Sequence, residues 1–391
     1  MKTKAVFRAL TAVCCAVLAA GSCGNPWMEK VVDPLFDEGT GAEPAPVPVP
    51  AFEAFYFDID GKRYGTGSGA LAGTGKINKA ALTVMVIVPA AAFTSLPAPV
   101  TAAGPAGAVV TTAGGTDFSG PRTYTVTANG LSRPYTVTVK QASLIGDGSN
   151  SDGDALRAMI EDAATGSVLI LAGSFGMNSY DSVNIENKAI TILAPAGGTL
   201  TLRATEYGTG RIFEVGPAPA TWGKLTLGTP GGVGSGSIVF EGRSNSGEPF
   251  VRVNQGGHFT MNEGVTMRNN RSYMWSQSPA LEIRGTAVIN GGTITNCSAN
   301  NNDAAPVYIA SPGAGVGASL TINGGLITGN SGGNGGSIML KNDANHFLEW
   351  NGGIITNNSP NYYTPPNGYG SIYIEGATSR HDIDLHGNIA D

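Results

Sequence analysis

The sequence predicts an all-β protein. Its larger part is a right-handed parallel β-helix with a short N-terminal capping helix, preceded by a small Ig-like β-sandwich. Three observations carry the β-helix. A motif repeats as Phe259-Thr-Met-Asn-Glu-Gly-Val-Thr-Met, Ala287-Val-Ile-Asn-Gly-Gly-Thr-Ile-Thr, Leu320-Thr-Ile-Asn-Gly-Gly-Leu-Ile-Thr and Phe347-Leu-Glu-Trp-Asn-Gly-Gly-Ile-Ile-Thr. Its glycines Gly264, Gly292, Gly325 and Gly353 are spaced 28, 33 and 28 residues apart, a period that marks stacked repeats. Each copy is two short alternating runs around an Asn-Gly corner, and a third run lies between copies: Ala280-Leu-Glu-Ile-Arg, Pro306-Val-Tyr-Ile-Ala, Ser337-Ile-Met-Leu-Lys and Ser371-Ile-Tyr-Ile-Glu. No helical pattern of about 10–15 residues separates these strands, which excludes a βαβ fold.

Stacking assigns places to polar residues. Asn262, Asn290, Asn323 and Asn351 fall above one another at one corner, where each amide can bond the next coil as a structural ladder.

At the start of the chain, residues 1–23 read as an export signal. Lys2, Lys4 and Arg8 precede the apolar core Ala9–Ala20, which is too short for a membrane span. The following Leu18-Ala-Ala-Gly-Ser-Cys23 resembles a bacterial lipoprotein box, which implies a covalent lipid on Cys23. Cys14 and Cys15 leave with the signal, so Cys297 has no partner for an internal disulfide. The expectation is an exported lipoprotein held to a membrane by its acyl chains, at the outer membrane or cell surface. Residues 24–50 form a tether, because Ala42-Glu-Pro-Ala-Pro-Val-Pro-Val-Pro favours extended polyproline backbone.

Residues 51–141 have short strand-like runs and no helical period. Ala81-Leu-Thr-Val-Met-Val-Ile-Val-Pro89 is one run, and Tyr124-Thr-Val-Thr and Tyr135-Thr-Val-Thr-Val flank Asn129-Gly130 as a hairpin. Residues 52–75 lack clear strand spacing. The pattern points to an Ig-like β-sandwich, and its ending resembles cadherin-like or bacterial Ig-like modules of surface lipoproteins, which implies a spacer.

Residues 142–166 are a linker and capping helix. Asp147, Asp152 and Asp154 supply hard oxygen ligands suited to calcium, but their spacing misses the EF-hand loop. The competing reading is a polar linker in which Asp152 or Asp154 caps a helix over Ala155–Ala164. Leu156, Met159, Ile160 and Ala163 share one face of that helix, and Gly166 ends it.

The β-helix is expected over residues 167–391, beginning with Ser167-Val-Leu-Ile-Leu-Ala-Gly-Ser-Phe. The run Asp154-Ala-Leu-Arg-Ala-Met-Ile-Glu-Asp-Ala, then Gly166-Ser-Val-Leu-Ile-Leu-Ala-Gly-Ser-Phe, resembles the opening of pectin-lyase-like β-helix proteins. There a helix shields the first coil. With the Asn-Gly-Gly repeats, the resemblance covers well over half the chain and implies fold more than activity.

That superfamily contains pectate lyases and polygalacturonases. The Asn-Thr-Asp, Asp-Asp, Gly-His-Gly and Arg-Ile-Lys motifs of its glycosidases are absent from this sequence. A lyase needs a basic residue near calcium-binding acids, for which Arg243, Arg252, Arg268, Arg271 and Arg284 beside Glu241, Glu263 and Glu282 are the candidates. The competing reading for these charges is a solvated coil surface, so no catalytic residue is assigned. Rings supply a second class of site. Tyr273 and Trp275, Trp350 on a strand, and Tyr362, Tyr363 and Tyr369 are the candidates for stacking on sugars or seating a protein, or else for sealing the solenoid's side.

Composition excludes one class. Only 13% of residues are charged and the net charge is −6, with no basic stripe, so nucleic acid is not an expected partner. The expectation is a non-enzymatic rod for adhesion to a host or neighbouring protein or glycan. Polysaccharide binding or cleavage by the β-helix is the second reading.

Overall fold

The computed structural model describes residues 47–112, 117–177, 182–205, 211–216, 221–232, 236–244, 247–272, 278–300, 304–310, 317–333, 336–341, 345–360, 372–374 and 382–385. Among these, no helix is long and apolar enough to cross a membrane.

The first module contains eight strands: β1 (Ala51–Ile59), β2 (Lys62–Thr66), β3 (Gly75–Asn78), β4 (Thr83–Pro89), β5 (Val100–Gly104), β6 (Val109–Thr112), β7 (Arg122–Ala128) and β8 (Leu131–Ala142). One antiparallel sheet has the order β2-β1-β5, and the other runs β3-β4-β8-β7-β6, with β4 and β8 parallel. Strand β8 alternates as a half-buried strand should, with Tyr135, Val137 and Val139 inward. The β7–β8 turn places Asn129 and Gly130 at φ 54° and 72°, the left-handed pair that a two-residue hairpin requires.

The two sheets enclose one aromatic core. Phe52 meets Tyr135 at 5.0 Å, Phe55 meets Tyr124 at 5.1 Å and Phe57 meets Phe118 at 5.2 Å between ring centroids, all edge to face. Strand β1 escaped the sequence reading for a definite reason. A bulge between Phe52 and Ala54 inserts an extra residue, so Phe52 and Phe55 both face the core although they are three positions apart.

After Ser143 the chain leaves β8 and enters β9 (Leu144–Asp147), which pairs in parallel with β10 (Ser167–Met177). Between them lies helix α1 (Ser151–Asp162). Leu156 and Ile160 on α1 are fully buried in the solenoid core, so the helix covers the first coil. It starts four residues before the expected Ala155, with Asn150 at the N-cap, and neither aspartate caps it. Asp152 instead accepts the backbone N–H groups of Asp147 and Gly148, each at 2.8 Å, and so braces the loop upstream. At the other end Lys188 donates to the carbonyls of Ile160, Glu161 and Ala163 at 3.0, 2.7 and 3.2 Å, a cation on the negative end of the helix dipole.

Strand β10 serves two faces. Its first half pairs with Ala189–Leu193 and its second half with Thr199–Ala204. The chain changes direction at Gly173, whose φ is +83° and where a Cβ would stand 2.2 Å from the Gly146 carbonyl.

The solenoid then winds through three long parallel ladders and a short fourth one that joins Arg271–Ser272, Ser298–Ala299, Ser331–Gly332 and Ser359–Pro360. The first face stacks Val183–Ile185, Phe213–Val215, Val251–Val253, Leu281–Ile283, Val307–Ile309, Ile338–Leu340 and Ile372–Ile374, seven strands and hence six steps from coil to coil. The second face runs from Ala189–Leu193 through Gly223–Leu227, Gly257–Met261, Thr286–Ile289 and Ser319–Ile322 to Phe347–Trp350 and Asp382–Leu385. The third joins Thr199–Ala204, Ser237–Glu241, Val265–Arg268, Thr293–Thr295, Leu326–Thr328 and Ile354–Thr356.

Register aligns the inward side chains in columns, such as Ile190, Leu225, Phe259, Ala287, Leu320 and Leu348. Burying each large member contributes about 1.5–3 kcal/mol, so the columns hold the coils together. The neighbouring column includes Trp350, which is 1% exposed and donates its indole N–H to the Gly352 carbonyl. Trp350 is therefore a core residue and not an open sugar platform: in the alternation of its strand it falls on the inward side with Leu348.

Candidate functional site

The outward positions of the first face carry a charge ladder. Glu214, Arg252 and Glu282 are in register on adjacent coils. Arg211 bonds Glu214 at 2.8 Å and Glu248 at 2.7 Å, and Arg252 bonds Glu248 and Glu282, both at 3.0 Å. Arg284 closes the row on Glu282 at 2.6 Å. Asn254 and Ser182 add bonds to Glu214 at 2.8 and 3.2 Å. Burial alone would push the Glu214 carboxyl up, but Arg211, the Asn254 amide and Arg252 outweigh it and hold it below the ordinary carboxylate value. The Glu282 side chain is fully buried and Arg252 nearly so, which corrects the solvated-surface reading for these two, whereas Arg284 is 41% exposed and Arg268 47%.

The ladder does not collect the proposed lyase residues. Arg252, Arg284 and Glu282 belong to it, whereas Arg268 pairs with Glu241 at 2.7 Å on the third face, with Asn269 also donating to Glu241 at 2.7 Å. Glu263 accepts the Gly231 N–H at 2.8 Å, Arg271 donates to Asn300 at 3.3 Å, and Arg243 donates to the Thr205 carbonyl. The glutamates of the ladder are each held by arginine.

The three aspartates considered for calcium point to different partners. Asp147 takes Lys62 at 2.7 Å and the Ser149 N–H at 3.0 Å, and the Lys62 bond pulls its carboxyl well below the usual range. Asp152 holds the backbone of the loop, burial raising its carboxyl, and Asp154 pairs with Arg157 at 2.8 Å. Among the described residues no group of three or more His, Cys, Asp or Glu could hold a metal ion.

At the Asn-Gly corner Asn262 donates to the Gly228 carbonyl at 3.1 Å, Asn290 to Asn262 at 3.0 Å, Asn323 to Asn290 at 2.9 Å and Asn351 to Asn323 at 3.0 Å. One amide per coil thus forms a continuous chain. Cys23, Tyr273, Trp275, Tyr362, Tyr363 and Tyr369 lie outside the described residues.

Sequence reasoning missed one ring. Trp222 is 45% exposed, and it is the single aromatic among the exposed large apolar side chains of the described residues. It sits on the corner between the first and second faces and does not belong to the Asn-Gly repeat, so periodicity gave no reason to single it out. Two grooves border the first module. One, of about 430 Å³, is apolar and lined by Phe93, Val139, Ile170, Leu193 and Pro195. The other, of about 470 Å³, is polar and lined by Lys76, Thr199, Ser237 and corner glycines of successive coils.

No curated protein matches the chain. Residues 68–139, which run from the β2–β3 loop into β8 of the first module, match the family model described as SGBP, N-terminal.

Proposed function

We propose that this chain is a bacterial surface glycan-binding protein in which the two-sheet module is the spacer and the solenoid presents the glycan-binding surface. The observation that carries this reading is the match of residues 68–139 to the N-terminal model of a family of surface glycan-binding proteins. It favours the polysaccharide reading of the sequence over adhesion to a protein. The solenoid suits the role: its second face offers outward Thr191, Thr226 and Thr260 on three consecutive coils, a row of hydroxyls that can bond sugars. The ion-paired glutamates of the first face favour binding without cleavage. Lipid on Cys23, followed by the proline-rich tether, would hold the protein at the cell surface.

The test is a binding titration of the full chain against soluble starch, xylan, galactomannan and polygalacturonate, with reducing ends counted in the same samples. Binding to at least one without new ends is expected. Silence towards all four, or cleavage of any, would overturn the reading. For the anchor, Cys23→Ala should abolish incorporation of labelled fatty acid and release the protein from the membrane fraction.

A further inference from the structure

Trp222 occupies an unusual position for an indole on this solenoid. Its carbonyl accepts the N–H of Asn187 from the preceding coil at 2.7 Å, so its backbone is locked into the stack. On the following coil the adjacent position is Gly256, with φ +82°. A Cβ there would lie 2.9 Å from the Thr221 carbonyl oxygen and 3.8 Å from the Trp222 Cα. The following coil thus offers no side chain at the position in register with Trp222. Two residues on, Lys224 projects from the second face, paired in register with His258 one coil along, and both are exposed. No ion pair among the described residues engages either of them. Thr226 and Thr260 continue the same two rungs.

The first face differs. There the outward residues Glu282, Tyr308 and Met339 are buried at 0, 4 and 0% exposure. The corner at Trp222 is open where that stretch is closed. Half-exposing an indole costs free energy unless something covers it in use. The neighbours restrict what that can be: the ring is alone, flanked by donors, and set on a surface of hydroxyls, which suits a flat amphipathic ligand better than an apolar protein surface.

We propose that Trp222 is the stacking platform of a glycan subsite on this corner. The C–H face of a pyranose ring lies on the indole, while Lys224 and His258 donate to its hydroxyl or carboxylate oxygens. Successive coils are about 4.8 Å apart, so a linear glycan lying along the solenoid axis passes from the Lys224 rung to the His258 rung. The subsite rests on the glycan-binding reading above and gives it a location.

The experiment titrates the full chain and its Trp222→Ala, Trp222→Phe and Lys224→Ala variants with each of starch, xylan, galactomannan and polygalacturonate. Thermal melts run beside each titration. Trp222→Ala should weaken binding by about tenfold with an unchanged melt, Trp222→Phe should keep most of it, and Lys224→Ala should cost more on polygalacturonate than on a neutral polymer. Binding that survives Trp222→Ala unchanged would overturn the subsite while leaving the glycan reading standing. No binding by the unaltered chain would overturn both.

Discussion

Cys297 and Asn358 occupy equivalent rungs of one buried corner, and the thiol of the first takes the place of the amide of the second. Asn358 Nδ2 donates to the carbonyls of Thr356 and Ile327, each at 2.9 Å. Cys297 Sγ points at the matching carbonyls of Thr295, at 3.5 Å, and Met267, at 3.9 Å. Asn270 and Asn330 fill the same column, and Asn330 Oδ1 accepts the Cys297 N–H at 3.0 Å. This second asparagine column is interrupted once, by the cysteine.

Cys297→Asn should therefore be tolerated. The new amide would reach both carbonyls, and about 1 kcal/mol of added stability is expected. Asn330→Ala should cost about 2–3 kcal/mol, because it strands the Cys297 N–H and the Ile294 carbonyl in a dry site. Urea denaturation of both variants is the check. A Cys297→Asn protein that unfolds earlier would mean that side-chain volume decides this corner.

The thiol itself should be inert in the folded protein. Burial pushes its pKa up to about 12, so almost no thiolate exists at neutral pH. Alkylation followed by peptide mass analysis should find Cys297 unmodified in native buffer and fully modified in denaturant.

Two glycines separate backbone strain from crowding. Gly61 and Gly292 have φ +75° and +87°, but a Cβ on Gly61 meets nothing within 4 Å whereas one on Gly292 would lie 2.5 Å from the Val265 carbonyl. Gly61→Ala should cost only the left-handed penalty, about 1–2 kcal/mol. Gly292→Ala must also displace a coil and should cost clearly more. Equal losses in thermal or urea melts would show that the stack yields at its corners.

Glu282 should be the most costly charge to remove. Its side chain is fully buried between Arg252 and Arg284, and Glu282→Ala leaves two guanidinium groups facing one another. A loss of about 3–5 kcal/mol is expected, against little for Asp154→Ala, whose pair with Arg157 is largely exposed on the carboxylate side.

Acid should weaken the same ladder through Glu214. Its folded pKa lies below its unfolded value, so ionisation adds stability that is present at neutral pH. That stability is lost as the pH falls below the ordinary carboxylate value and through the lower folded one. The difference in melting temperature between the unaltered chain and Glu214→Gln should shrink as the pH drops through this window. A constant difference would mean that Glu214 acts through its shape alone.

Much of the solenoid was readable before any coordinates. Alternation and the Asn-Gly corners located the strands because a strand's side chains must alternate, whatever lies around it. The asparagine amides line up because equivalent positions of a parallel stack coincide. Strand β1 was not readable, since its bulge hides the alternation of Phe52, Phe55 and Phe57. Nor was the start of α1, where Asp152 bonds backward to the Asp147 and Gly148 N–H groups instead of capping the helix.

Period and residue type were enough for the strands, the corners and the inward side of each rung. They could not tell which outward positions stay open. Glu282 and His258 both face away from the core in alternating strands, yet the first is fully buried in an arginine network and the second stands exposed beside Trp222's corner. Alternation is a local property of the backbone. Exposure depends on which distant segments pack over each face, and for that the three-dimensional arrangement of the chain was required.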